Sequence, residues 1–355
     1  MSNIPKLRFP EFKGEWEEKK LGECLTLLYG KDWKDKSSTK KLYPVLGTGG
    51  VISYIDEFIY DKPCVLIGRK GSINNPVFID KPFWTVDTQF YSEIHEGYSP
   101  KFLYYIFCTE NWSKHDESTG VPSLSAKNVE NTHKHIPSYS EQQKIADFLS
   151  NVDSIITAET KILNTLQKKK KALMQKLFTR QLRFKSDDGT DFPAWEEKKL
   201  GDVCSYIGGG TPSKKVKEYW NGNINWASVK DITGKYLYET QDKISQLGAD
   251  SSATNICEPD SLLLITRMSP GKTVITKCIT AINQDLKIVK SYINVEFLHL
   301  LFQSIQTKID EKTSGTTVKG ISIEGLNQID IRLPCKAEQQ KIADCLSSMD
   351  SLIQT

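Results

Sequence analysis

The sequence predicts an α+β protein in which two strand-rich domains are joined by long helices, and three observations carry that expectation. The phrase EQQKIADFLSNVDSII from Glu141 returns as EQQKIADCLSSMDSLI from Glu338, identical at twelve of sixteen positions. A heptad pattern of apolar residues continues beyond the first copy, and the text ahead of each copy alternates short apolar runs with glycine turns.

Other text is duplicated in the same order. WEEKKLGEC at Trp16–Cys24 recurs as WEEKKLGDVC at Trp195–Cys204, and KLRF at Lys6–Phe9 recurs as QLRF at Gln181–Phe184. The offset grows from 175 at LRF to 179 at WEEKKLG and 197 at EQQKIAD, so insertions accumulate inside a unit whose ends hold. A repeat of this length is a domain rather than a solenoid turn, and 355 residues exceed what one hydrophobic core usually supports. The near-identical ends read as a frame and the divergent middles as cargo. One scaffold then presents two different recognition surfaces related by a pseudo-two-fold repeat. The boundaries read from this pattern are 1–137 for the first domain, 138–185 for a central helix, 186–337 for the second domain and 338–355 for the start of a second helix.

From Ile145 the positions Ile145, Leu149, Val152, Ile156, Glu159, Leu163, Leu166, Lys170, Leu173 and Leu177 alternate four and three apart, and eight of the ten are apolar. That is the a/d seam of a coiled coil. Ser138 and Glu141 fit a capping box with Pro137 just upstream, and a helix from Ser138 to about Arg180 would be roughly 60 Å long. Such a helix needs a partner for its seam. Ile342, Leu346, Met349 and Ile353 repeat the pattern in the second copy, which reaches only Thr355, so the expectation is a truncated distal helix pairing with part of the first. Nine Lys or Arg and no acid lie between Lys161 and Lys185; this stripe suits either phosphates or a solvated helix end.

The cargo is strand-like. LYPVLGTGGVISYI (Leu42–Ile55) reads as strand, glycine turn, strand, and CVLIGRKGSINN (Cys64–Asn75) as a buried strand entering a basic loop. LLLITRMSPGKT (Leu262–Thr273) mirrors that strand and loop, which makes Arg69 and Arg267 expected counterparts. Ile207–Thr233 gathers glycines, lysines, Tyr219, Trp220 and Trp226. Loops of Arg, Lys, Asn, Ser, Thr and aromatics suit major-groove reading, and are also ordinary turn chemistry.

Composition narrows the class. With 38% hydrophobic and 26% charged residues the chain reads as soluble and globular. There is no run of eighteen apolar residues and the N-terminus is too polar for a signal peptide, so the expectation is a cytoplasmic protein without a membrane partner. Eight scattered cysteines, never in CxxC spacing, suit free and mostly buried thiols. A net charge of +3 is short of a small nucleic-acid-binding domain's basic balance. Enzyme signatures fail individually. SPGKT lacks the P-loop glycine, since position 266 is Thr266; NNPVF lacks the second proline of an adenine-methyltransferase loop; the histidines are dispersed. Asp260, Asp285 and Lys287 have the residue types of a Mg-dependent nuclease centre, but the first domain holds no equivalent. No catalytic residue or metal site is expected.

WEEKKLG, GGGTPSKKVKEYWNGNINWASVKD, YPVLGTGGVISY with VLIGRKGSI, and the closing EQQKIADFLSNVD together resemble the specificity subunit of type I restriction-modification systems, over essentially the whole chain. The resemblance implies a non-catalytic DNA-reading subunit. Its two target recognition domains each read half of a bipartite site in double-stranded DNA, and its conserved helices form an antiparallel coiled coil that spaces them. It implies as partners two methyltransferase subunits modifying adenine with S-adenosylmethionine and two ATP-dependent translocase/nuclease subunits, so S-adenosylmethionine, ATP and Mg are expected on the partners and no cofactor on this chain. The shortened second helix departs from the family pattern.

For the first half-site the expected contacts are Lys31, Trp33, Lys34, Thr48, Arg69, Lys70, Ser72 and Asn74. For the second they are Thr211, Ser213, Lys214, Lys215, Tyr219, Asn225, Lys230 and Arg267. Two other classes remain open from the residues: a stand-alone nuclease using Asp260, Asp285 and Lys287, and a protein scaffold that does not touch DNA.

Overall fold

The computed structural model describes residues 5–315 and 318–354. Residues 1–4 of the first predicted domain and Thr355 of the second predicted helix lie outside the described residues. The chain divides into two compact units, Met1–Glu159 and Thr160–Thr355. The helix Tyr139–Phe178 is continuous through that boundary, so the predicted central helix belongs partly to each unit.

In the first unit an antiparallel sheet takes the order Leu25–Tyr29, Gln89–Ile94, Cys64–Gly68, Val77–Ile79. Every residue of Cys64–Gly68 is buried because both faces of the sheet are covered, which is why the strand reads as an unbroken apolar run. Val65 and Ile67 point into a core with Phe90, Phe102, Leu103, Phe107 and Trp112. Cys64 and Leu66 point the other way, toward Phe83 and Tyr91. The helix Pro100–Thr109 supplies the first of these layers; Ser99 accepts from Phe102 N at 3.3 Å and Pro100 occupies the first turn, where its missing N–H costs nothing. A hairpin, Tyr43–Gly47 with Gly50–Ile55, carries a parallel strand Trp84–Thr85 on its edge.

The second unit repeats this plan with additions. Its larger sheet runs Cys204–Gly208, Leu286–Ser291, Leu262–Ile265, Thr273–Thr276, Tyr236–Leu237. Leu262 and Leu264 face the core of the helix Val295–Ser304, and Leu263 and Ile265 face a second cluster with Val274 and Ile288. A four-stranded sheet, Asp242–Ile244, Ile224–Ala227, Thr280–Ile282, Asn255–Cys257, replaces the hairpin layer of the first unit. No helix among the described residues is long and apolar enough to cross a membrane.

The duplicated phrases meet inside each unit. In the first, Glu17–Lys20 pairs with His133–Ile136, the strand leading into the long helix; in the second, Glu196–Lys199 pairs with Asp330–Leu333. Arg8 of LRF donates from Nε and Nη2 to the two carboxylate oxygens of Glu141 at 2.7 Å each, and Trp16 Nε1 donates to Oε1 at 3.3 Å. Arg183, Trp195 and Glu338 repeat the arrangement at 3.0, 2.7 and 3.0 Å. This corrects the capping-box reading: the Glu141 carboxylate is held by a side chain from the start of the unit rather than turned to its own helix end.

The adjoining glutamine is as closely held. Gln142 donates to Pro137 O and accepts from Ser99 N, both at 2.9 Å; Gln339 donates to Pro334 O at 2.9 Å and accepts from Asn294 N at 3.3 Å. Each glutamine ties the phrase helix to the N-cap residue of an earlier helix, Ser99 of Pro100–Thr109 and Asn294 of Val295–Ser304.

Of the predicted seam, Ile145 packs against the first unit's core, and Leu149 and Leu166 are half-buried, whereas Val152, Ile156 and Leu163 are exposed. Ile342 and Leu346 are buried in the second unit's core, which Leu173, Met174, Leu177 and Phe178 also join, and Met349 and Ile353 are half-buried. Within that unit Lys170 pairs with Asp350 and Arg183 with Glu338. The chain from Lys170 to Arg183 therefore runs antiparallel to the helix Lys336–Gln354. Three of the nine cations of the basic stripe are thus ion-pair partners within the chain, Lys185 meeting Asp191 at 4.0 Å on the surface.

Candidate nucleic-acid interface

Within each unit the strand buried on both faces ends in a loop, and a second segment fastens that loop by main-chain bonds. In the first unit Leu124 N donates to Arg69 O at 2.9 Å, Gly71 N to Pro122 O at 2.9 Å, and Lys70 bridges Ser123. In the second, Ile321 N donates to Thr266 O at 2.9 Å, Met268 N to Lys319 O at 2.8 Å, and Arg267 bridges Gly320. These bonds set the correspondence one residue away from the sequence expectation. Arg69 is level with Thr266, and Lys70 with Arg267. Residue type invited the pairing of the two arginines; main-chain register overrules it.

The first loop brings several expected residues together. The Arg69 guanidinium lies 5.4 Å from the centre of the Tyr29 ring and donates to Asp87 O at 3.1 Å. Lys70, Ser72 and Asn74 are exposed. Thr48, at the tip of the hairpin, stands against Gly71, whose φ of +85° is a left-handed conformation that glycine adopts without a Cβ penalty. Asn74 Oδ1 is engaged, accepting from Trp112 N at 2.7 Å. Trp33 packs on Val45, Ile55 and Trp84, so its ring is partly core. Lys31 uses its carbonyl to accept from Trp84 Nε1 at 2.9 Å while its side chain, like that of Lys34, is exposed.

In the second unit Lys214 and Lys215 are exposed, and Lys214, Lys217, Trp220, Asn221 and Asp242 line a shallow cavity of about 380 Å³. Trp220 donates to Ser213 O at 3.1 Å and meets Trp226 edge to face at 5.1 Å, and Thr211 bonds Gln284 at 2.7 Å. Asn225 differs from the expectation. Its Oδ1 accepts from Thr240 N and Oγ1 at 3.2 Å each, which fixes its amide within the sheet. Tyr219 is half-buried, its carbonyl accepting from Ser245 N at 2.9 Å. Lys230 pairs with Asp242 at 2.8 Å, whose carboxylate raises it above the ordinary lysine range. Arg267 is exposed and pairs loosely with Asp285 at 3.4 Å.

The nuclease centre does not assemble. Asp260 precedes the strand Leu262–Ile265 and pairs with Lys277, whereas Asp285 stands beyond the far end of that strand, level with Thr266. Six residues of extended chain, roughly 20 Å, separate the two levels. No group of three or more His, Cys, Asp or Glu able to hold a metal occurs among the described residues.

The fastening segments escaped sequence reasoning. Their signal was present: Leu124-Ser125 and Ile321-Ser322 occupy like places, and each serine caps a short helix, accepting from Asn128 N at 3.2 Å and Gly325 N at 3.0 Å.

Two units built on one frame, each ending its central strand in a clamped polar loop, define a protein made by duplication of one domain plan. The chain belongs to the family described as type I restriction modification DNA specificity domain, which matches residues 13–168 and again 194–355. It is 31% identical over 185 residues to the type I restriction enzyme MjaIX specificity subunit of Methanocaldococcus jannaschii, covering 50% of this chain and 43% of that protein. It is 29% identical to the EcoR124I/EcoR124II specificity subunit of Escherichia coli, covering 63% and 54%, and 25% identical to the MjaVIII specificity subunit of M. jannaschii, covering 98% and 88%. The matches thus span about half the length of the first two relatives and most of the third. In fold the chain is similar to the crystal structure of a type I restriction-modification system S subunit from M. genitalium, with TM-score 0.69, 15% identity and coverage of 100% and 93%. It is also similar to a chain solved in work on complex assembly and conformational transition of the type I R-M system, with TM-score 0.55, 18% identity and coverage of 99% and 93%.

Proposed function

We propose that this protein is the non-catalytic, sequence-reading subunit of a type I restriction-modification complex. Each unit reads one half of a bipartite sequence in double-stranded DNA and so directs adenine-N6 methylation or ATP-dependent restriction by partner subunits. The observation that carries this reading is the repeated frame around Glu141 and Glu338 holding loops of different chemistry. Equal frames with unequal loops suit two unlike half-sites. Exposed Lys70, Ser72, Lys214, Lys215 and Arg267 have the groups that grip phosphate and base edges. Two methyltransferase subunits would hold S-adenosylmethionine, and two translocase/nuclease subunits ATP and Mg; the complex would work in the cytoplasm. The relatives named as specificity subunits and the neighbour solved in the context of complex assembly support such partners.

Mapping N6-methyladenine across the genome of cells carrying this chain with its methyltransferase partner tests the reading. A two-part motif that disappears when the chain is deleted is expected; no chain-dependent motif, or cutting of DNA by the purified chain alone, overturns it.

A further inference from the structure

Met268 stands where the first unit has Gly71. Both residues donate their N–H to the fastening segment, Gly71 to Pro122 O at 2.9 Å and Met268 to Lys319 O at 2.8 Å. Both have left-handed backbone, with φ of +85° and +72°. Glycine bears that conformation without strain; methionine does not, because its Cβ crowds the following carbonyl. The strain does not serve burial, because Met268 is 62% exposed at the tip of the loop between Leu262–Ile265 and Thr273–Thr276. It lies beside exposed Arg267 and is joined to the segment that carries exposed Val318. A strained backbone that holds a large apolar side chain out into solvent is a feature that folding alone does not select.

We propose that Met268 is a specificity-determining residue of the second unit, contacting the C5-methyl group of a thymine in the second half-site. The inference rests on the DNA-reading function proposed above. The thymine methyl is the apolar group that a base pair offers in the major groove, and a flexible thioether adapts to it. Arg267, next along the loop, supplies the polar contact alongside. The first unit, with Gly71 at the same place, lacks this contact, so the two loops differ in chemistry at one equivalent position.

The test compares the wild-type chain with Met268→Gly, each in complex with its methyltransferase partner, by selection from random duplex DNA and by thermal melting. Glycine relieves the backbone, so the variant is expected to melt at or above the wild-type temperature. Its selected motif is expected to keep the first half intact and lose preference at one T·A position of the second. Replacing that thymine by deoxyuridine, which removes only the methyl, is expected to weaken wild-type binding roughly fourfold, the worth of one buried methyl, and to leave Met268→Gly unaffected. An unchanged motif in the variant overturns the role of Met268 while leaving the DNA-reading function standing. Loss of both halves in a variant that melts normally overturns the single-position role. A wild-type complex that selects no motif removes the proposed function and this inference with it. Should the glycine variant melt low, Met268→Asn, which tolerates left-handed backbone, is held to the same outcomes.

Discussion

Arg8 and Glu141 lie 133 residues apart and form a two-pronged ion pair with both contacts at 2.7 Å, and Arg183 and Glu338 repeat it 155 residues apart. This pair explains why three short phrases are written twice. LRF contributes the guanidinium, WEEKKLG the indole N–H, and EQQKIAD the buried carboxylate that receives both. A carboxylate with almost no exposure is tolerated only with its acceptor sites filled.

Glu338→Ala is therefore expected to destabilise the second unit by about 3 kcal/mol, because it strands Arg183 and the nearly buried Trp195 Nε1 together. Glu338→Gln, which still accepts one bond, is expected to cost less. Calorimetry on both variants checks this; equal melting of wild type and Glu338→Ala would refute the role given to the pair.

The glycine of each WEEKKLG is a close-approach residue. A Cβ at Gly201 would fall 2.8 Å from Asn327 Cβ, and one at Gly22 3.1 Å from Glu130 Cβ. Gly201→Ala is expected to destabilise by about 1–3 kcal/mol through forced displacement of the short helix Ile323–Asn327. Gly189→Ala, with open space around it but φ of +81°, is a control whose cost comes from backbone strain alone. A smaller loss at Gly201 than at Gly189 would contradict the packing argument.

His299 gives the second unit a pH dependence. Burial lowers its pKa to about 4, and Lys235 and Lys170 push in the same direction against Glu296 and Asp350. Its ring bonds Thr273 Oγ1 at 2.8 Å and the Gln303 side chain at 2.7 Å. The unfolded chain takes up the proton near pH 6.5 and the folded chain does not until about 4. Stability is thus present above pH 6.5 and falls as pH drops toward 4, by about 3 kcal/mol over that window. His299→Gln is expected to flatten this part of the stability curve, measured by denaturant titration at successive pH values; an unchanged slope would show that other groups set it.

The α+β class and the duplicated organisation were legible because they are written as local text. Cys64–Gly68 announces a buried strand by its continuous apolar run. What escaped is long-range. Ser138 and Glu141 are near in sequence and suggest a cap, but the partner that wins is Arg8, from the opening of the chain. Asn225 has the residue type of a base reader, yet a sheet neighbour, Thr240, takes its Oδ1. Left-handed backbone at Met268 carries no sequence signature, because glycine is the usual sign of it and glycine is absent there.

The corrected correspondence of the two loops yields a last prediction. Arg69 is level with Thr266, which is buried, and its guanidinium is occupied by Tyr29 and Asp87 O. Lys70 and Arg267 share a level and are exposed. Lys70→Ala is therefore expected to weaken DNA binding while lowering the salt dependence by about one phosphate contact. Arg267→Ala is expected to cost about 1–3 kcal/mol and relax the second half-site alone, as loss of a base-edge contact does. Arg69→Ala should act mainly on stability, by releasing the strand end it braces, and leave the selected sequence unchanged. Binding isotherms over a salt series, with the motif selected by each variant, separate the three. If Arg69→Ala changes the first half of the motif while Lys70→Ala does not, then residue type rather than main-chain register identifies the reading positions, and the correspondence drawn from the clamped loops is wrong.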